Sequence, residues 1–153
     1  MRSGIGIDSH RFEAGRRLVL GGVEIPYELG LAGYSDADVL AHAIADALLG
    51  AAGLGDIGQH FPDTDAAWKD ADSMELLRDV VARVRGEGFE LVHVDATVML
   101  ERPRLAPHRE AIHASLAAVL GSVNVKATTG EGMGFVGRGE GAAALAVATI
   151  ARR

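Results

Sequence analysis

The sequence contains no cysteine. Disulfides and thiolate chemistry are therefore excluded, and any transition-metal ion must be held by histidine and carboxylate. The absence also suits a reducing compartment. Aromatic residues make up only 5% of the chain, so Ala, Val and Leu must fill the interior. No window approaches ~18 consecutive apolar residues, and no membrane-spanning helix is predicted. The opening MRSGIGIDSHRFEAGRRL lacks the apolar stretch of a signal peptide, because Asp8 and His10 interrupt it, and a cytoplasmic location is expected. Positive charge is the scarcer sign: 15 Lys and Arg stand against 21 Asp and Glu, for a net charge of −6. That balance argues against a general nucleic-acid binder, which needs a basic face to release phosphate counterions. A small anionic ligand, gripped by a few local donors or by a cation, remains open.

What is present is 153 residues, 48% of them apolar, which suits one globular domain with a substantial core. The 20 glycines imply tight turns and close backbone approaches. Alternation over 4–10 predicts a short strand. RLVLGGVEI (17–25) reads as a second strand with Gly21-Gly22 as a bulge. Ser35 or Asp36 is expected to cap a helix that continues until Gly50 and Gly53 break it. Residues 54–71 read as a polar loop, and Asp72 or Ser73 opens a second helix that ends near Gly86-Gly88. A β-branched strand is predicted over 89–100, a helix from about Pro107 to Gly121, a strand over 123–129, and a Gly-dense loop over 130–141. In the final AAALAVATIARR the alanine content favours helix over strand. Together these predict an α+β fold: a single two-layer domain, residues 1–153, with a mixed sheet.

Four segments can carry chemistry. Asp8 and His10, two apart on a strand, project to one face and offer a two-ligand bite for a borderline divalent cation. His42, on the first predicted helix, could supply a third ligand, with Asp38 and Asp46 one turn away to orient its ring or compete with it. The alternative is that Asp8 caps a turn and His42 is a partly buried helix histidine. GDIGQHFPDTD (55–65) is either a polar lid whose carboxylates receive hydroxyls of a polyol, or turns capped by their own aspartates. KATTGEGMGFVGRGEG (126–141) contains G-x-G-x-x-G, but no second βα unit follows, so a dinucleotide fold is rejected. It can still bring backbone amides to an anion. Thr128 and Thr129 would add hydroxyls, Glu131 could hold a hard cation, and Arg138 could pair with phosphate or carboxylate. A Gly-rich turn with a surface ion pair is the plain reading of the same residues. Glu101-Arg102-Pro103-Arg104 is either a solvated basic turn or the edge of a nucleotide pocket.

The segments GIDSHRF, GGVEIPYE, SDADVLAHAIADALLGAAGLGDIGQHFPDTD, ERPRLAPH and VNVKATTGEGMGFVGRGEG stand in one order across essentially the whole chain. In that combination they resemble the 2-C-methyl-D-erythritol 2,4-cyclodiphosphate synthases of the non-mevalonate isoprenoid pathway. The resemblance implies a homotrimer with sheets packed around a central axis, active sites between subunits, and a strand for the alanine-rich C-terminal stretch. It implies Zn²⁺ on Asp8, His10 and His42, with Asp8 and His10 also touching substrate. Tyr34, Ser35, Asp56, Ile57 and Gly58, together with Phe61, Pro62, Asp63, Thr64 and Asp65, would hold the methylerythritol phosphate portion. Leu100, Pro103, Arg104, Leu105 and Ala106, with Thr128, Thr129, Gly130 and Glu131, would form the cytidine diphosphate pocket of the adjacent subunit. Phe135 and Arg138 match further substrate contacts, and Glu131 would reach Mg²⁺ or Mn²⁺ bridging the diphosphate.

The implied reaction closes a cyclic diphosphate within 4-diphosphocytidyl-2-C-methyl-D-erythritol 2-phosphate and releases CMP, with Tyr34 and Thr129 in the catalytic positions. Two positions depart from the family pattern. Tyr34 stands where His is usual, a bulkier hydrogen-bond donor without positive charge at neutral pH. Gly130 replaces a Thr, which removes a hydroxyl and is expected to loosen the loop. The rival readings are a metal-dependent phosphohydrolase and a non-catalytic trimeric ligand-binding protein.

Overall fold

The small residues on one side of the first strand decide where the first helix lies. The computed structural model describes residues 1–153. Its first strand, β1 (Arg2–Ala14), is longer than the 4–10 alternation predicted. A Cβ on Gly4 would meet the backbone of Ala47 and Ala51, and one on Gly6 would meet Ala43 O and Ala47 N. Helix α1 (Val39–Ala52) therefore lies directly on β1, backbone against backbone. Both of its flanks are covered, and all but two of its residues are buried, so its apolar character runs around the whole circumference.

RLVLGGVEI is not one bulged strand. It is a hairpin of β2 (Leu18–Leu20) and β3 (Val23–Ile25), with Gly21 and Gly22 both at positive φ, as a two-residue hairpin turn requires. Asp38, rather than Ser35 or Asp36, caps α1, and its carboxylate also accepts from Gly21 N and Gly22 N. Ala37 sits at φ +56, outside the helical region, so the helix cannot begin earlier. After β4 (Leu29–Leu31) and α1, the predicted 54–71 loop holds a one-turn helix α2 (Ile57–His60) and a 3₁₀ turn (Ala66–Trp68), capped by Asp56 and Asp65. Helix α3 (Ser73–Gly86) opens on Asp72 as expected and buries Leu76, Leu77, Val80, Val81 and Val84.

The remaining elements are β5 (Phe89–Met99), α4 (Arg109–Leu120), β6 (Val123–Thr128), the one-turn α5 (Gly134–Gly137) and β7 (Gly141–Arg152). The strand order is β4-β1-β7-β5-β6, and only β5 and β6 are parallel, so the sheet is mixed. The C-terminal stretch is thus a strand, against its helix propensity. β7 pairs with β1 on one side and β5 on the other, and its small Ala142, Ala144, Ala146 and Ala148 are buried in a row. Tertiary pairing overrides a propensity worth only tenths of a kcal/mol per residue. The opposite face of the sheet is uncovered: Ile5 is 61% and Ile7 67% exposed, with Leu145 and Val147 exposed beside them. No helix is long and apolar enough to cross a membrane.

Candidate metal centre and active site

Asp8 and His10 follow Gly4 and Gly6 on the face of β1 that meets α1, and His42 lies in the first half of that helix. Close strand–helix packing therefore converts a separation of 34 residues into contact. Asp8 Oδ2 lies 2.8 Å from His10 Nε2 and 3.1 Å from His42 Nδ1. One ligand atom from each of the three residues falls within 4.8 Å of the others. The outer nitrogens are also engaged. His10 Nδ1 is 2.9 Å from Ala32 O, which can only accept, so the proton sits on Nδ1 and Nε2 faces inward. His42 Nε2 lies 2.8 Å from Ser73 Oγ and 3.2 Å from Ser35 Oγ.

This donor set fits a divalent ion of zinc type: two imidazoles and one carboxylate, with room for a further ligand. Its electrostatics suit a cation as well. Burial pushes the Asp8 carboxyl up, but hydrogen bonds and charge from His10 and His42 outweigh it and bring it down to about 2. Burial pushes His42 down, yet the hydrogen bond to Asp8 and the charges of Asp8, Asp38 and Asp36 leave it raised. Without a metal, a proton takes the cation's position between His42 and Asp8. A depressed carboxyl stabilises the fold above its ordinary value of 3.8, a contribution lost as pH falls towards 2. A raised histidine stabilises it below 6.5, a contribution lost as pH rises through the raised value.

The expected orienting roles of Asp38 and Asp46 are not observed. Asp38 is wholly buried in its cap, and burial, only partly offset by hydrogen bonds from Ala41, Gly21 and Gly22, raises it to about 6. Asp46 Oδ1 accepts from Ile57 N at 2.8 Å and so anchors α2 to α1. The residues that do engage His42 are Ser35 and Ser73, with Asp36 behind Ser73. Nothing in the spacing of 36, 42 and 73 betrays this, because three separate segments converge there.

The three candidate ligands open into a cavity of about 560 Å³ that is also lined by Tyr34, Ser35, Ile57, Gly58, Phe61, Pro62, Asp63 and Thr64. Phe61 is fixed edge-on against Trp68, with the Arg83 guanidinium over its ring. Arg83 also reaches His60 Nδ1, whose other ring nitrogen binds Leu54 O, so α3 pins the base of this segment. Tyr34 Oη donates to Asp65 O at 3.2 Å, tying the start of the cavity wall to its end. Asp56 and Asp65 spend their carboxylates on local backbone amides, as the turn reading foresaw.

Leu100, Pro103, Arg104, Leu105, Ala106, Thr128 and Thr129 meet in a second cavity of about 190 Å³ that shares no residue with the first. Glu101 accepts from Gly130 N at 2.8 Å and Gly132 N at 3.1 Å, holding the glycine loop to the wall of this cavity. Gly130 is therefore not a loosening element. A Cβ there would meet Gly137 N and Met133 O, so glycine allows the loop to fold tightly on itself. Glu131, at φ +51, is exposed at the tip, and its amide is held by Thr129 Oγ1 at 3.1 Å. Phe135 is exposed, and Arg138 pairs with Glu140 at 2.7 Å near a third hollow.

A family model described as "YgbB family" matches residues 1–151. The 2-C-methyl-D-erythritol 2,4-cyclodiphosphate synthase of Salinibacter ruber is 61% identical over 98% of this chain and 98% of its own. A solved cyclodiphosphate synthase in its CDP-bound form is 39% identical with a TM-score of 0.90, over 98% of this chain and all of that one. The bifunctional IspDF of Campylobacter jejuni is 46% identical with a TM-score of 0.95, and this chain matches 42% of its length.

Proposed function

Because the chain belongs to the YgbB family, we propose that it converts 4-diphosphocytidyl-2-C-methyl-D-erythritol 2-phosphate to 2-C-methyl-D-erythritol 2,4-cyclodiphosphate, releasing CMP. An oxygen of the 2-phosphate forms a bond to the β-phosphorus, and the bond from that phosphorus to the bridging oxygen of CMP breaks. The observation that carries this reading is the meeting of Asp8, His10 and His42 within 4.8 Å, inside a cavity walled by the 57–64 segment. Since the nucleophile is already an anion, no strong base is needed. The barrier lies in bringing two anionic phosphates together in ring-closing geometry.

Asp8, His10 and His42 would hold Zn²⁺, and Glu131 with substrate phosphates would hold Mg²⁺ or Mn²⁺. Bound there, the cations would neutralise phosphate charge as Lewis acids. The chain's own residues supply orientation. Ser35, Asp56, Ile57, Gly58 and Phe61 to Asp65 would surround the methylerythritol phosphate, and Tyr34, on the cavity wall, would exchange its hydrogen bond to Asp65 O for one to the substrate. Leu100, Pro103 to Ala106 and Thr128 to Glu131 receive the cytidine diphosphate, with Thr129 as the hydroxyl donor nearest the reacting phosphates. Phe135 and Arg138 complete the contacts. The separation of the two cavities supports active sites completed by a neighbouring subunit, and the exposed apolar row of Ile5, Ile7, Leu145 and Val147 supports a homotrimer packed sheet to sheet. The single domain, 1–153, works in the cytoplasm and takes a nucleotide-linked small molecule as substrate.

Phosphorus NMR of the products tests the reading. CMP with a cyclic diphosphate is expected; linear phosphates alone would establish the hydrolase instead. Glu131→Gln is expected to raise the magnesium concentration for half-maximal turnover by about tenfold or more while leaving zinc content intact. An unchanged magnesium titration would remove Glu131 from the site. Zinc must also displace the proton held between His42 and Asp8. Below the raised pKa of His42, affinity should fall about tenfold per pH unit. The melting-temperature gain on adding zinc should therefore be larger at about pH 7.5 than at about pH 5.5. A gain independent of pH would contradict His42 as ligand.

A further inference from the structure

We propose that Ser73, held by Asp36, is a positioning residue that fixes the tautomer of His42 and thereby sets how tightly the divalent ion is retained. The inference rests on His42 being a metal ligand. The hydrogen-bond chain has only one consistent proton assignment. Asp36 accepts from Ser73 N at 3.0 Å through Oδ2, and its Oδ1 contacts the Ser73 hydroxyl closely while also accepting from Asp38 N at 3.1 Å. A carboxylate cannot donate, so the Ser73 hydroxyl proton points to Asp36. The Ser73 oxygen is left with lone pairs alone, 2.8 Å from His42 Nε2. Only an N–H can sit there, so Nε2 keeps its proton with or without a metal, and Nδ1, whose proton is shared with Asp8 in the metal-free protein, is the nitrogen that offers its lone pair to the ion once that proton is displaced. Ser35 Oγ, 3.2 Å away, is a second acceptor for the same N–H, and its own place is kept by Ala37 N.

The arrangement is pre-organised. Ser73 is the first residue of α3, while Asp36 lies in the turn that leads to α1 through the left-handed Ala37. Two helix starts therefore clamp one imidazole. The order Ser73–His42–Asp8 has the connectivity of a hydrolytic triad, but Ser73 is 1% exposed and its proton is committed to Asp36. Ser73 does not line the cavity, so it orients the ring and does not attack.

The test measures zinc dissociation constants by chelator competition, and ring tautomers by ¹⁵N NMR of histidine-labelled, zinc-loaded protein. Ser73→Ala is expected to weaken zinc binding by about 10- to 100-fold and to perturb the Nε2–H resonance of His42. Asp36→Asn should weaken it in the same direction, and the double variant should lose clearly less than the product of the two single losses, since both act on His42 through the Ser73 hydroxyl. Asp36→Asn also serves as the readout should Ser73→Ala fail to fold. A dissociation constant within about twofold of the parent in the folded variants, with the tautomer unchanged, would overturn the proposal. Undiminished zinc in His42→Ala would instead overturn the metal assignment beneath it, so the two failures are distinguishable.

Discussion

His42→Ala is expected to abolish zinc retention and to lower turnover by at least about 100-fold, while the chain keeps its fold. The loss follows from the donor set. Removing one of three ligands leaves Asp8 and His10, adjacent on one strand, as a two-point bite on a borderline cation. A metal's charge stabilisation is worth several kcal/mol, and each 1.36 kcal/mol is a factor of ten in rate. The fold should survive because alanine is the best helix former and α1 is buried along nearly its whole length by other residues. Ser73 and Ser35 would lose their shared partner, at a cost of about 1–2 kcal/mol in the metal-free protein. The Asp8 carboxyl would rise back towards its ordinary value, having lost one of the two histidines that depress it. Metal analysis of the purified variant, with circular dichroism beside it, decides the matter. A full complement of zinc in a folded His42→Ala protein would remove this residue from the site.

Gly6→Ala should damage both the fold and the chemistry. The added methyl would stand 1.9 Å from Ala43 O and 2.7 Å from Ala47 N. Both are backbone atoms of α1, so no side-chain rotation relieves the contact and the helix must lift from the strand. A cost of at least about 3 kcal/mol is expected, seen as a melting temperature lower by roughly 6–12 °C. Lifting α1 also moves His42 away from Asp8, and a displacement of about 1 Å at a reacting centre can cost roughly 100-fold. Zinc affinity should therefore fall, although no ligand is changed. A Gly6→Ala protein of unaltered stability and zinc content would show that the close approach of β1 and α1 is not what assembles the site. Ala47→Gly is the matched control, because it changes the same interface without adding volume.

These two residues mark where sequence reading ends. Asp8 and His10 were legible as a pair because strand periodicity alone puts i and i+2 on one face. His42 could be named as a third ligand, but spacing along the chain could not bring it to them. The collision-free row of Gly4, Gly6, Ala43 and Ala47 does so, and its meaning appears only when strand and helix are stacked. For Asp38 and Asp46 local reasoning pointed the wrong way. A helix turn of separation made them look like partners of His42, whereas one caps the helix and the other anchors the next segment.

By itself the sequence determined which atoms are available and what they can do: a cysteine-free chain with histidine and carboxylate donors, a helix opened by its cap at Asp72, and a strand marked by β-branched residues. It also carried the ordered motifs through which the family is recognised. Only the tertiary structure decided that the alanine-rich end is a central strand, that Gly130 tightens its loop, and that Ser73 and Asp36 stand behind His42. The reason is physical. Capping, alternation and donor chemistry act within a few residues, whereas strand pairing, steric room for a Cβ and the direction of a shared proton depend on segments that meet only in the folded chain.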